Sequence, residues 1–244
     1  DNNDYLIDIA SRCPVPSGQP RLVIDVGGNK GYSLPRYGLI WGNLDVSLVR
    51  KSIGHYQNKS AMWIENSLEL HVFEPTRSAF EILEHLTNEI PMAGVFLHNL
   101  GVSEVEGDFT FSTPYVNVGD EGAHMGHSKN LPEEGPSETV NVVTLDAWYQ
   151  RTWQHGYPGR IPYVKIDTEG FDALVVRGMK GLLAGGKLEA FEFEYASSWT
   201  DGRTPKPEKL HDLLRMLLGY SFHCFKLSED TAGSHEFIRI NTPG

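Results

Sequence analysis

Cysteine is scarce in this chain, with Cys13 and Cys224 the two present among 244 residues. That count excludes a disulfide-built scaffold and a cysteine-based zinc site. Long apolar runs are missing too: no stretch approaches the roughly 18 residues that cross a bilayer. Residues Asp1 to Asp4 are acidic and polar, so the start has none of the character of a signal peptide. Positive charge is in deficit, with 21 Lys and Arg against 32 Asp and Glu and a formal net charge of −11. A chain of that sign repels phosphate backbones, and nucleic acid is not an expected partner. Repeats and low-complexity segments are lacking. Residue 1 is Asp rather than Met, which fits a processed chain or part of a larger multidomain protein. What is present, 40% hydrophobic and 22% charged residues, suits one soluble globular domain with a full core and no assigned compartment.

Residues 1–20 read as a lead-in: a short helix over the apolar patch Tyr5 to Ala10, then an irregular Cys13-Pro14-Val15-Pro16 linker. Residues 21–244 read as one domain. Five apolar, β-branched or aromatic runs predict buried strands: Arg21–Val26, Leu70–Phe73, Gly94–His98, Pro162–Ile166 and Leu188–Phe193. Apolar residues three and four apart predict helices over Thr76–Ile90 and Pro207–Leu218, the second stopped by Gly219. Strands alternating with helices imply an α/β fold with a mainly parallel sheet, helices on both faces. The tail differs, since Ser221–Leu227 and His235–Ile240 flank a polar turn as an antiparallel hairpin would. Two insertions stand out. Residues 34–66 carry Tyr37, Trp41, Tyr56 and Trp63 and are expected to pack, and residues 112–138, rich in Gly, Pro, Ser and acids, are a candidate lid.

Directly after the first strand comes Asp25-Val26-Gly27-Gly28-Asn29-Lys30-Gly31-Tyr32-Ser33. Glycines there let backbone approach a ligand, and the next helix N-terminus offers N–H groups to an anion. The dinucleotide fingerprint GxGxxG is not met, because Val26 stands at its first glycine. The second strand ends in Val72-Phe73-Glu74-Pro75, and an acid at that position can accept both hydroxyls of a nucleoside ribose. Together the two elements point to a nucleoside pocket.

Val23-Ile24-Asp25-Val26-Gly27-Gly28-Asn29-Lys30-Gly31-Tyr32 resembles motif I of class I S-adenosylmethionine-dependent methyltransferases. With Val72–Pro75, Val143–Asp146, Val164–Asp172 and Phe193–Tyr195, the chain is similar to the FkbM-type methyltransferase family from about Leu22 to the terminal hairpin. The resemblance implies a Rossmann-like class I methyltransferase sheet, strand order 3-2-1-4-5-7-6. It implies S-adenosylmethionine as cofactor and S-adenosylhomocysteine as product. The acceptor class it favours is a hydroxyl, foremost that of a sugar in a glycan or a glycosylated metabolite. By the same likeness Gly27, Gly28, Asn29 and Gly31 hold the methionine moiety, with Asp25 beneath its ammonium. Glu74 takes the ribose, Asn99 to Ser103 border the adenine, Val102 packs on the ring, and Ser103 makes a polar contact. Asp167 falls between cofactor and acceptor.

Methyl transfer to an alcohol needs the hydroxyl proton removed or the oxygen bound to a metal. Asp167 and Glu169 follow the fourth strand and Glu194 ends the fifth, where α/β sheets bind ligands. Asp167 could be the general base. It could instead join Glu194 around a divalent cation such as Mg²⁺, or the acids could hydrogen-bond a polyhydroxylated acceptor. Glu169 could also cap the next helix. Along the fifth strand Glu192 and Glu194 share one face, and Phe191, Phe193 and Tyr195 the other. His124 and His127 are rival bases, and as a pair they lack a third metal ligand. His98, Trp148, Tyr149 and Trp153 read as packing residues, Trp199 as a platform for a sugar face, and Lys165 as half of a structural ion pair. The sequon Asn58-Lys59-Ser60 is expected to be unmodified. Two other functions fit the same strand-loop-helix: a nicotinamide-dependent oxidoreductase and a non-catalytic cofactor-binding module.

Overall fold

Valine, isoleucine and leucine crowd the first strand, and in a computed structural model of the chain every residue of it after Arg21 is buried. The structure describes residues 6, 9–10, 19–41, 68–89, 94–112, 124–125, 137–153, 157, 159–195, 199, 209–229 and 235–240. In chain order the elements begin with β1 (Arg21–Val26), α1 (Leu34–Trp41), β2 (Leu68–Phe73), α2 (Arg77–Glu89) and β3 (Val95–His98). Then come β4 (Gly101–Val102), β5 (Gly107–Ser112), β6 (His124–Met125), β7 (Ser137–Val143) and α3 (Leu145–Thr152). The last are β8 (Ile161–Ile166), α4 (Asp172–Arg177), α5 (Lys180–Ala184), β9 (Leu188–Phe193), α6 (Leu210–Gly219), β10 (Phe225–Glu229) and β11 (His235–Arg239).

Five strands form one wholly parallel sheet in the order β3-β2-β1-β8-β9. Side chains alternate along β1, and the alternation sorts the core into two layers. Leu22, Ile24 and Val26 join Val164, Ile166, Val175 and Leu213 on one face. Val23 joins Tyr37, Trp41, Val72 and Tyr163 on the other, where Leu6 and Ala10 of the lead-in also pack. Leu6, Ile9 and Ala10 are helical, as expected of that patch. Of the 34–66 insertion, α1 sends Trp41 onto the Tyr163 ring with centroids 5.9 Å apart. Tyr56, Trp63 and the Asn58 sequon lie outside the described residues.

Two features depart from the expected topology. A second sheet, β4-β7-β5-β6, sits beside the first. Its strands β5 and β7 pair antiparallel from Gly107↔Val142 to Ser112↔Ser137, so the 112–138 insertion runs between the two arms of one ladder. The candidate lid itself falls mostly outside the described residues. The terminal hairpin forms, with β10 and β11 antiparallel, but among the described residues no strand pairing joins it to the main sheet as strands 7 and 6. Phe222, in the connector that leads into β10, sets its ring 5.3 Å from that of Phe191 on β9.

Gly178 ties three elements together. Its N–H caps α4 on the Leu174 and Val175 carbonyls, and its carbonyl accepts from Asp146 N at 3.0 Å. A Cβ there would stand 2.1 Å from the Ser103 carbonyl oxygen, which is backbone and cannot rotate away. Gly178→Ala is therefore expected to lower stability by about 1–3 kcal/mol, read as a lower urea midpoint at unchanged slope.

Candidate functional site

The direction of connection changes at β1, which has β2 on one side and β8 on the other, and a crevice opens at such a point. Backbone bonds stitch the three strand ends. Gly27 N and Gly28 N both donate to the Phe73 carbonyl at 2.9 Å, and Asp167 N donates to the Val26 carbonyl at 2.9 Å. Glycine is needed here for chain-to-chain contact. A Cβ on Gly27, whose φ is +87°, would lie 1.8 Å from the Asp167 carbonyl oxygen, and one on Gly28 would lie 2.2 Å from Val72 Cγ1.

The loop then turns at Asn29 (φ +48°), whose N–H donates to Glu74 Oε2 at 2.9 Å. Glu74 Oε1 accepts from Thr76 N at 2.9 Å and Thr76 Oγ1 at 2.6 Å. Its main chain is held as well, with Glu74 N donating to the His98 carbonyl and Asn99 Nδ2 donating to the carbonyls of Glu74 and Pro75. Burial raises the Glu74 pKa above its ordinary value, and the bonds from Thr76 and Asn29 oppose the shift.

Gly27, Gly28, Asn29, Glu74 and Thr76 line a cleft of about 380 Å³. Leu100, Val102, Phe111 and Phe171 give it an apolar wall, and Glu74, Lys165, Asp167, Thr168 and Glu169 supply polar groups. Tyr32 stands at the cleft and is 73% exposed. Two buried oxygens of lining residues, Asn29 Oδ1 and Thr168 Oγ1, have no hydrogen-bond partner among the described residues.

Of the residues singled out from sequence, Gly27, Gly28, Asn29, Glu74, Val102, Asp167 and Glu169 are brought together in this lining. Asp25, Gly31, Ser103 and Glu194 are not part of it. Asp25 is 1% exposed beneath the cleft, with Oδ1 3.8 Å from Lys165 Nζ. Gly31 (φ +83°) faces Leu83, Leu86 and Leu34. Ser103 is buried, its N–H on the Val143 carbonyl. Glu194 is exposed. Glu169 adopts φ +54°, and Phe171 is the N-cap of the next helix.

Asp172 is the residue that sequence reasoning left without a role. Fully buried, it accepts from Gly170 N through Oδ2 and from Glu194 N through Oδ1, both at 3.2 Å, and so ties the turn after β8 to the end of β9. An acid two residues beyond a glycine, opening a helix, was its signal. Burial pushes its pKa up to about 6.

Trp199 is not a sugar platform. It is 1% exposed, stacked on Phe193 at 5.8 Å and edge-on to Tyr195 at 5.0 Å, because the aromatic face of β9 needs a cover. His98 is structural, bonded to His71 (Nδ1···Nε2 2.9 Å) and packed among Phe73 and Trp148, and burial pushes its pKa down to about 4. Trp148, Tyr149 and Trp153 pack in the same layer. His124 lies on β6, and His127 is outside the described residues. Among the described residues no group of three or more His, Cys, Asp or Glu is placed to hold a metal ion, and no helix is long and apolar enough to cross a membrane.

A family model described as the methyltransferase FkbM domain matches residues 25–224. No curated protein and no solved structure matches the chain.

Asp25 and Asp172 both have pKa values raised from 3.8 to about 6, chiefly by burial. Their contribution to stability is full below the unfolded value of 3.8 and is lost as pH rises through about 6. Asp25→Asn should therefore flatten the fall in melting temperature across that window. An unchanged slope would show that Asp25 does not hold a proton there.

Proposed function

The chain belongs to the FkbM methyltransferase family, and on that premise we propose that it is an S-adenosylmethionine-dependent O-methyltransferase acting on a sugar hydroxyl. The observation that carries the reading is Glu74, a buried carboxylate at the end of β2, facing the cleft with Oε2 set by the Asn29 N–H. A carboxylate so held offers lone pairs to a ribose diol without having to be ordered on binding. The unmet oxygens of Asn29 and Thr168 in the same lining suit the donors of an amino-acid moiety, and Leu100, Val102 and Phe111 suit a flat base. The residues present therefore fit the group that the family implies.

When bound, S-adenosylmethionine supplies an electrophilic methyl on a cationic sulfur. The chain's own part is to bind, orient and deprotonate. The Gly27–Asn29 loop and Glu74 hold the donor, and the acids Glu74, Asp167 and Glu169 outnumber the cation Lys165 in the lining, which favours a positive donor and a neutral acceptor over an anion. Asp167, with a side chain 43% exposed, is the group in reach of both solvent and cleft, and it takes the proton of the acceptor hydroxyl. Tyr32, rather than Trp199, offers a ring face to a sugar.

Calorimetry with S-adenosylmethionine should show binding that Glu74→Ala weakens by about 10- to 100-fold while the melting temperature still reports a folded chain. Unchanged affinity would end the ribose assignment, and binding of NADH in its place would favour an oxidoreductase. Mass spectrometry of glycosides incubated with donor and enzyme checks the acceptor: methyl on oxygen is expected, and methyl on nitrogen or carbon overturns it.

A further inference from the structure

Lys165 was expected to be half of a structural ion pair, and its surroundings ask more of it. It sits on β8 two residues before Asp167, on the same strand face. Its Nζ lies 2.9 Å from Asp167 Oδ2 and 3.8 Å from Asp25 Oδ1. Strand register sets Asp25 of β1 and Glu192 of β9 directly beside it. Tyr37 of α1, close to Arg36 and Ser33, faces Asp25 from the helix layer. One ammonium thus stands among three carboxylates, and among the described residues it is the one cationic side chain in the cleft lining.

The three acids are not equivalent. Asp25 is 1% exposed and cannot move, so its attraction holds the lysine against the sheet. The Asp167 side chain is 43% exposed, and a charge-assisted bond from Nζ fixes it through Oδ2. That bond uses Oδ2 and not Oδ1. The buried acid anchors the lysine, and the lysine aims the exposed acid.

We propose that Lys165 is a positioning residue for the proton transfer: it holds Asp167 by Oδ2 in one orientation and leaves Oδ1 for the acceptor. This rests on reading the cleft as the methyl-transfer site. In the step, the acceptor O–H bond breaks, the proton passes to Asp167 Oδ1, and the bonding pair stays on the acceptor oxygen. Lys165 remains protonated throughout. Without it, Asp25, Glu192 and Asp167 face one another, and neighbouring like charges do not all stay ionised.

Lys165→Met alone leaves Asp25 buried and uncompensated, so the comparison is made in an Asp25→Asn background. The full chain is labelled with ¹³C at aspartate carboxyls, and the Asp167 signal is identified by its loss in Asp167→Asn. At one fixed pH, adding Lys165→Met to Asp25→Asn should shift the Asp167 carboxyl signal and lower kcat, and Lys165→Arg in the same background should restore both. Affinity for S-adenosylmethionine should not fall between Asp25→Asn and the double variant, since removing a cation from the lining does not weaken a positive donor. An Asp167 signal unmoved by loss of the lysine overturns the proposal, as does a signal that arginine fails to restore. A wild-type chain that does not bind S-adenosylmethionine overturns the functional reading instead, and the carboxyl signal still reports on the lysine.

Discussion

At the end of β2 the Phe73 carbonyl accepts amide hydrogens from Gly27 and Gly28, both at 2.9 Å, while Val26 accepts from Asp167. Those bonds bring the ends of β2, β1 and β8 closer than side chains would allow, and glycine is what makes the approach possible. Everything chemical follows from the junction. It brings Asn29 to the Glu74 carboxylate, it fixes where Asp167 leaves the sheet, and it leaves the cleft above. Glycine-rich loops are commonly read as cradles for a ligand, but here Gly27 and Gly28 first serve the packing of protein on protein, and the surface of the cleft is its by-product.

Charge is the second constraint. Burying Asp25 next to Lys165 costs desolvation, felt as a pKa raised to about 6 for the acid. Burial also works against the lysine, yet Asp25, Asp167 and Glu192 together hold its pKa above the ordinary value. The lysine is thus kept charged by acids of three strands. Asp172 repeats the theme without a cation, satisfied by two amide hydrogens that join β8 to β9. Asp172 is tolerated inside this sheet edge because its bonds order the turn after β8.

The parallel sheet was legible because its strands are buried on both faces and read as apolar runs; β1 and β9 fall on the residues expected from sequence. The glycine loop and Glu74 were legible because backbone geometry restricts which residues can stand there. The second sheet escaped notice, although Phe109 and Phe111, and Val140 and Val142, alternate at a period of two, since each strand buries only one face and flanks a polar segment. Trp199 misled because an aromatic near a strand end is equally suited to a ligand and to a neighbouring ring, and sequence does not say which is closer. At Glu194 the group that the structure holds in place is the amide, on Asp172.

The pairing of Ser112 with Ser137 has a consequence for how such a protein can diversify. The segment between them starts and finishes at adjacent points of one ladder, so residues gained or lost there alter neither the main sheet nor the junction beneath the cleft. Closing a longer excursion adds only about 0.6 kcal/mol per doubling of its length. The span can therefore change length while the parallel sheet and the junction at its strand ends stay as they are.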